Sequence, residues 1–183
     1  LKEKNNTDNP LSLYAATKKS NELIAHSYSA NYNLPTTGLR FFTVYGPLGR
    51  PDMAYFKFTK AIFDGESIEV YNEGQMKRDF TYIDDIVEGI SALIEKSPPV
   101  KKNINTKAEA NFEIFNIGNN SPVSLHEFIT TLEDLIGKKA KKIKLGMQPG
   151  DVLETYADIE LLNSKVGYQP KTNIKEGLSH FVQ

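Results

Sequence analysis

The sequence predicts an α/β fold on two observations. Segments with the periodicity of helices alternate along the chain with short runs that are rich in β-branched and aromatic residues. The clearest of these runs, residues 36–45, is followed by the loop Gly-Pro-Leu-Gly-Arg-Pro at 46–51. Because ligands of α/β proteins bind beyond the carboxyl ends of strands, this loop is a predicted ligand-binding region.

Turn and capping residues separate the elements in the first half of the chain. Ser12 can cap a helix that continues to about Tyr32. The further predicted elements are a buried strand at 36–45, a helix at 53–64 ended by Gly65, a strand at 67–71, an extended segment at 78–83, and a helix at 85–96 with Asp84 as its N-cap.

In the second half, Ser124 and Glu127 form a capping box at the start of a helix. The lysines within 138–144 predict a solvated edge that leads into a strand, in preference to a nucleic-acid site. The predicted elements are a loop at 97–110, a strand at 112–117, a helix from 125 to 136 ended by Gly137, a strand at 142–145, a tight loop at 148–151, and short helices at 157–162 and 174–182.

Composition excludes several classes of function. The 183 residues carry a net charge of −1, which gives no electrostatic case for nucleic acid or an acidic membrane. The chain has no cysteine, and its three histidines share no ligand spacing, so we expect no metal site. No apolar run approaches the roughly 20 residues that span a bilayer. We therefore expect a cytoplasmic protein that binds neither membrane nor nucleic acid.

Tyr14 and Lys18 lie four residues apart on the first predicted helix, which places both side chains on one face. A nearby ammonium favours a phenolate over the neutral phenol. Tyr-x-x-x-Lys is therefore a sensible acid/base unit for the oxidation of an alcohol. The alternative is a surface tyrosine and a solvated lysine, because two common residues at one spacing are weak evidence.

Five motifs together are more specific than this pair. Tyr14-x-x-x-Lys18 is followed by RFFTVYGP at 40–47, RDFTYIDD at 78–85, FNIGN at 115–119 and PGDV at 149–152. In this order they resemble the extended short-chain dehydrogenase/reductase family, which includes nucleotide-sugar epimerases and dehydratases. The stretches 11–29 and 39–62 look most like UDP-glucuronate 4-epimerases of bacterial capsule or envelope polysaccharide synthesis.

The resemblance implies a role for each matching residue. Tyr14 would take the proton of the sugar C4 hydroxyl, Lys18 would hold the nicotinamide ribose, and Phe41 would contact the nicotinamide of NAD, the implied cofactor. The implied substrate-binding residues are Thr43 at the sugar carboxylate, Arg50, Lys57 and Arg78 at the diphosphate, the backbone of Val70 with Tyr71 at the uracil, and Asp151 at the ribose.

Several of these side chains have a structural alternative. Thr43 suits a buried strand, and Tyr71 can pack its ring on the fold with its hydroxyl exposed. Arg50 and Arg78 can form surface ion pairs. Asp79, beside Arg78, can pair with a neighbouring lysine or arginine.

A departure from the family pattern concerns the cofactor. The family holds the pyrophosphate at a glycine-rich strand–turn–helix, and no G-x-x-G-x-x-G occurs in these residues. A catalytic Ser or Thr on a strand before Tyr14 has no counterpart either. We therefore expect the C-terminal portion of an epimerase, with residues 1–47 as a remnant of the Rossmann-type domain. Residues 48–183 would be mainly the nucleotide-sugar domain, with the possibility that one strand returns to the Rossmann sheet.

Three functions remain open on the sequence. The first is a fragment of a UDP-glucuronate 4-epimerase that is inactive in isolation. The second is another enzyme of the family, such as a UDP-glucuronate decarboxylase or a sugar 4,6-dehydratase. The third is a non-catalytic binding or assembly module of a split protein. We expect a homodimer through the helix at 12–32, or association through an exposed sheet edge.

Overall fold

The computed structural model describes residues 1–98, 110–147 and 152–183 and shows helices with mainly parallel strand pairs, which confirms the α/β prediction. The predicted loops at 97–110 and 148–151 lie outside these ranges, apart from residues 97, 98 and 110. The described elements are α1 (Leu13–Tyr32), β1 (Thr36–Phe41), β2 (Thr43–Tyr45), α2 (Ala54–Asp64), β3 (Ser67–Tyr71), β4 (Lys77–Tyr82), α3 (Ile83–Ile94), β5 (Phe112–Ile117), β6 (Pro122–Ser124), α4 (Leu125–Ile136), β7 (Lys141–Leu145), α5 (Glu160–Val166) and α6 (Ile174–Val182).

The chain divides into two compact units, each built from segments that are distant in sequence. Unit 1 comprises Leu1–Phe41, Glu88–Ile117 and Asp158–Tyr168. Unit 2 comprises Phe42–Val87, Gly118–Ala157 and Gln169–Gln183. Each unit is discontinuous because parallel strand pairs join segments that a crossover separates, and the domains predicted at 1–47 and 48–183 stay a prediction.

Unit 1 contains the parallel pair of β1 and β5, with a register that runs from Thr36 beside Phe112 to Phe41 beside Ile117. The side chain of Ile117 is fully buried, as is that of Leu162 in α5. Helix α1 packs against β1. It is mostly exposed, since Ser29 is its one buried residue.

Unit 2 contains two groups of strands. In one, β2 pairs parallel with β4, which pairs antiparallel with β6, while in the other β3 pairs parallel with β7. Its core is aromatic, and the rings of Phe80 and Phe128 stack with centroids 4.5 Å apart. Burial of these rings supplies a large share of the apolar stabilisation of the unit.

Tyr45 lies in this core and packs against α6. Burial raises the pKa of the Tyr45 phenol. Gly177 of α6 is buried against it, and a Cβ at that position would overlap the tyrosine ring and hydroxyl. The glycine therefore allows the helix to approach the ring closely.

The lysines of the predicted solvated edge hold parts of unit 2 together. Lys138 and Lys141 donate from Nζ to the carbonyls of Phe63, at 2.7 Å, and Gly65, at 2.8 Å, where α2 ends. Positive charge is favourable at a helix C-terminus, where backbone carbonyls lack helical partners. Thus these two lysines stabilise the end of α2.

Glu133 of α4 accepts hydrogen bonds from two other lysines of the same stretch. Lys142 donates at 2.7 Å, Lys139 at 2.9 Å, and the carboxylate also accepts the backbone N–H of Ala140. Burial alone would raise the pKa of Glu133, but the hydrogen bonds from Lys142, Lys139 and Ala140 lower it to about 2.

Three element predictions need correction. The single strand at 36–45 is two strands, because residues up to Phe41 pair with β5 and those from Thr43 pair with β4. Asp84 lies in the first turn of α3, which follows β4 directly, and is not its N-cap. The helix predicted at 157–162 begins only at Glu160, since the N–H of Ala157 donates to the carboxylate of Asp79.

Candidate functional site

The predicted acid/base pair lies on an open face of α1 in unit 1. The Ser12 hydroxyl accepts the N–H of Ala15 at 3.1 Å, which caps the helix just before Tyr14. Lys18 Nζ lies 5.3 Å from the centroid of the Tyr14 ring. The structure thus brings the phenol and the ammonium together, and the Tyr14 side chain is 71% exposed.

An ion pair that the sequence did not reveal lies further along the same helix. Glu22, one turn after Lys18, accepts from Arg40 of β1 at 2.7 and 2.9 Å in a two-pronged contact. The hydrogen bond from Arg40 lowers the pKa of Glu22. The contact joins α1 to β1, and its sequence signal is an arginine within an otherwise uncharged strand.

Phe41 ends β1 in the same unit. Its side chain is about half exposed, whereas its parallel partner Ile117 is buried. An aromatic ring left exposed at the carboxyl end of a strand is available to a ligand.

Unit 2 holds a pocket of about 890 Å³, which lies within the size range of small-molecule sites. Four of the predicted substrate-binding residues line it, namely Thr43, Lys57, Tyr71 and Arg78. The sequence did not reveal the other lining residues, which include Asp52, Phe58, Lys60, Glu66, Glu69, Met76, Phe80 and Val123.

The charged side chains of the pocket have both signs. Lys57 is exposed, and Arg78 is half-buried with Nη1 donating to the carbonyls of Val152, at 2.7 Å, and Lys77, at 2.9 Å. These acceptors are neutral, and among the described residues no carboxylate forms an ion pair with the guanidinium. Such a group suits a phosphate ligand.

Arg50 is held differently, by the ion pair that was its structural alternative. It donates to Asp52 from Nε at 3.0 Å and from Nη2 at 2.5 Å, and both side chains are exposed. The hydrogen bond from Arg50 lowers the pKa of Asp52. Asp52 lines the pocket, whereas Arg50 is not among its lining residues.

Strand β3 contributes residues both to the pocket and to the core. Tyr71 and Glu69 line the pocket, and the Tyr71 hydroxyl donates to the Glu69 carboxylate at 2.8 Å. The Val70 side chain is instead buried against Ile129, so only its backbone remains available for the predicted uracil contact. Asp151 lies outside the described residues.

Asp79 has no neighbouring lysine or arginine as its partner among the described residues. It is fully buried and accepts backbone N–H groups from Asn119, Asn120 and Ala157. The sequence could not reveal these partners, because they lie about 40 and 78 residues further along the chain.

Within residues 1–98, 110–147 and 152–183, no group of three or more His, Asp or Glu side chains is placed to hold a metal ion. In that part of the chain, every helix is too short or too polar to cross a bilayer.

Comparison with protein families identifies the chain. The family described as NAD dependent epimerase/dehydratase matches residues 2–118. The chain belongs to this family. The predicted resemblance is therefore confirmed at the level of the family.

Individual relatives and solved structures agree with the assignment. The chain is 56% identical over 183 residues to Protein CapI of Staphylococcus aureus, covering 97% of this chain and 55% of the relative. It is 47% identical to a probable UDP-glucuronate 4-epimerase of Rhizobium meliloti, covering 99% of this chain and 55% of the relative. A crystal structure of UDP-glucuronic acid 4-epimerase from Bacillus cereus, with UDP-glucuronic acid and NAD, matches with a TM-score of 0.82 and 37% identity, covering 95% of this chain and 52% of that one. The chain thus spans about half the length of the curated relatives it matches.

Proposed function

We propose that these residues supply the acid/base pair and the UDP-sugar pocket of an NAD-dependent 4-epimerase that interconverts UDP-glucuronate and UDP-galacturonate. The observation that carries the proposal is the pocket of unit 2, where Thr43, Lys57, Tyr71 and Arg78 meet. The four come from separate elements and were each assigned to one part of the same ligand. The names of the relatives support the choice of sugar. A place in capsule or envelope polysaccharide synthesis stays a prediction.

Each residue has a role in the proposed reaction. Tyr14 takes the proton from the C4 hydroxyl of the sugar, and Lys18 stabilises the phenolate that does so. After oxidation, the 4-keto sugar turns over so that the hydride returns to the other face of C4, and Tyr14 gives the proton back to the C4 oxygen. Lys57 and Arg78 hold the diphosphate throughout, so the nucleotide stays bound while the sugar moves.

NAD fits the residues of unit 1 at its nicotinamide end. An exposed ring at Phe41 and the Lys18 ammonium are groups that suit a nicotinamide and its ribose. When bound, NAD accepts the C4 hydride and gives it back, so none is consumed. The glycine-rich motif for the pyrophosphate does not occur in these 183 residues, so we propose that they do not bind NAD alone.

Calorimetric titration of the 183-residue chain with UDP and NAD separately tests the proposed pocket. We expect saturable binding of UDP and none of NAD. Lys57→Met should weaken UDP binding, whereas Lys175→Met, an exposed lysine on α6 outside the pocket, should not. An unmutated chain that does not bind UDP would overturn the proposed function.

Thr43 provides a test of the sugar. Thr43→Val keeps the side-chain shape and removes the hydroxyl, so the preference for UDP-glucuronate over UDP-glucose should fall. The control is Thr59→Val, because the Thr59 hydroxyl is buried in unit 2 without a hydrogen-bond partner in the described residues. Equal affinity of the unmutated chain for the two sugars would contradict the assignment of the substrate.

Catalysis needs a separate assay. With UDP-glucuronate and NAD, we expect the 183-residue chain alone to form no UDP-galacturonate. Turnover by the chain alone would contradict this. If activity returns on mixing with a separate nucleotide-binding protein, the split-protein alternative is favoured.

We propose further that α1 is a dimer interface. Besides Tyr14, its exposed apolar side chains are Leu13, Leu23, Ile24, Tyr28 and Tyr32. Sedimentation equilibrium should show a dimer that Leu23→Glu dissociates. A chain that is monomeric at all concentrations would contradict the proposal.

A further inference from the structure

Asp79 is a fully buried carboxylate held by backbone groups. It accepts the N–H groups of Asn119 at 2.8 Å, Asn120 at 3.0 Å and Ala157 at 2.8 Å, with the Thr81 hydroxyl at 3.4 Å. A buried charge is costly unless hydrogen bonds replace its hydration. These donors therefore fix two segments that are distant in sequence against β4. One contains Asn119 and Asn120, and the other contains Ala157.

One of those segments, residues 152–157, runs beside β4 and is tied at both ends. At one end the Val152 carbonyl accepts from Arg78 at 2.7 Å, and at the other the N–H of Ala157 donates to Asp79. Between them, the residue before Arg78 exchanges two backbone hydrogen bonds with the segment. Adjacent residues of one strand thus hold the two ends of a single segment.

Gly118 shows how closely this segment packs. A Cβ at Gly118 would lie 2.6 Å from the Cβ of Ala157 and 3.1 Å from Oδ2 of Asp79. Both distances are shorter than ordinary carbon contacts, so a side chain there would displace Ala157. The geometry around the carboxylate therefore depends on two loops as well as on the strand.

We propose that Asp79 is a positioning residue for Arg78 in the UDP-sugar pocket. By fixing segment 152–157, Asp79 fixes the Val152 carbonyl that orients the Arg78 guanidinium, which lines the pocket. Asp79 itself is not among the lining residues. The inference rests on the proposed function, since it assigns the affinity for the UDP diphosphate to the orientation of Arg78.

The decisive comparison is Asp79→Asn with Asp85→Asn in the 183-residue chain. Asp85 is a matched control, because it is also buried in unit 2 and accepts two backbone N–H groups, from Lys171 and Thr172, at 3.1 Å each. UDP and uridine affinities are measured by calorimetry at a temperature where circular dichroism shows both variants folded. We expect Asp79→Asn to weaken UDP binding about tenfold and uridine binding much less, with Asp85→Asn within about twofold of the unmutated chain.

The possible outcomes distinguish failure of the proposed function from failure of the positioning role of Asp79. If the unmutated chain does not bind UDP, the proposed function fails and this inference fails with it. If it binds UDP and both variants lose affinity equally, or Asp79→Asn loses UDP and uridine affinity equally, only the positioning role is overturned.

A second pair of variants tests the positioning role if Asp79→Asn does not fold. Gly118→Ala keeps the carboxylate but crowds Ala157, so it should weaken UDP binding. Gly89→Ala is its control, since a Cβ there crowds Ile117 in unit 1 by a similar amount, at 2.8 Å. Unchanged UDP affinity in a folded Gly118→Ala variant would overturn the proposal.

Discussion

The two units hold their chemically useful side chains in different ways. In unit 1, Tyr14 and Lys18 lie on a helix with one buried residue, Ser29, and the Glu22–Arg40 ion pair joins that helix to β1. In unit 2, the pocket is formed by strands and helices that pack on an aromatic core. The elements that carry the binding groups are thus positioned by burial, whereas the predicted acid/base pair depends on a helix cap and an ion pair.

Phe128→Ala tests the core of unit 2 and has the largest expected effect. Its ring is fully buried and stacked on Phe80, so truncation should reduce the free energy of unfolding by about 3–5 kcal/mol. Urea denaturation measures the loss. Leu23→Ala, at a side chain that is 61% exposed on α1 in the single chain, should change stability by less than about 0.5 kcal/mol when both variants are measured at a concentration at which the chain is monomeric. Comparable losses at both positions would show that the two helices are equally buried.

Glu133→Gln tests the charged end of α4 through its pH dependence. Because the folded-state pKa of Glu133 is about 2 and its ordinary value is 4.5, its stabilisation is complete above pH 4.5 and is lost as the pH falls towards 2. We expect the variant to be less stable by about 2 kcal/mol at pH 7 and nearly equal to the unmutated chain at pH 2. Thermal denaturation across this range measures the difference, and a gap that does not narrow with acid would contradict the assignment.

Glu22→Gln tests the ion pair of unit 1. Losing the charge-assisted contact with Arg40 should cost about 1 kcal/mol and should appear as faster hydrogen exchange in α1. The control is Asp64→Asn, which removes an exposed pair with Lys60 and should leave exchange unchanged. If α1 exchanges at the same rate in Glu22→Gln, the ion pair does not hold the helix.

Asp52→Asn has the smallest expected effect and an unusual direction. The variant removes a carboxylate that pairs with Arg50 and takes a negative charge from the pocket lining, so UDP should bind about twofold more tightly. Uridine, which has no phosphate, should bind as before. A gain in affinity cannot come from partial unfolding, and weaker binding of UDP would contradict the role of Arg50.

Helices whose first turn is capped by a nearby side chain could be predicted from the sequence. The Ser12 cap placed the start of α1 correctly, and the pair Ser124 and Glu127 did so for α4, where the Ser124 hydroxyl accepts the N–H of Glu127. These contacts join residues three apart, so the sequence contains both partners side by side. The division at Phe42 could not be predicted, because it depends on strands that pair from distant parts of the chain.

In the candidate site too, contacts between distant parts of the chain could not be predicted. Thr43, Lys57, Tyr71 and Arg78 were named from family motifs, and the structure brings them to one pocket. The backbone partners of Asp79 lie in loops that no spacing rule connects to it. The types of residue therefore indicated which side chains can bind a ligand. The contacts that position those side chains depend on tertiary packing, which the sequence did not reveal.

The contact of Tyr45 with Gly177 has a consequence for how related sequences can diverge. The tyrosine hydroxyl has no hydrogen-bond partner in the described residues, and it occupies the space that a Cβ at Gly177 would need. Phenylalanine at 45 would remove that buried hydroxyl but would keep two ring carbons, which lie 2.7 and 2.8 Å from the position of that Cβ. Loss of the hydroxyl alone therefore makes no room for alanine at 177. We therefore expect glycine at 177 in related sequences wherever a tyrosine or a phenylalanine stands at 45.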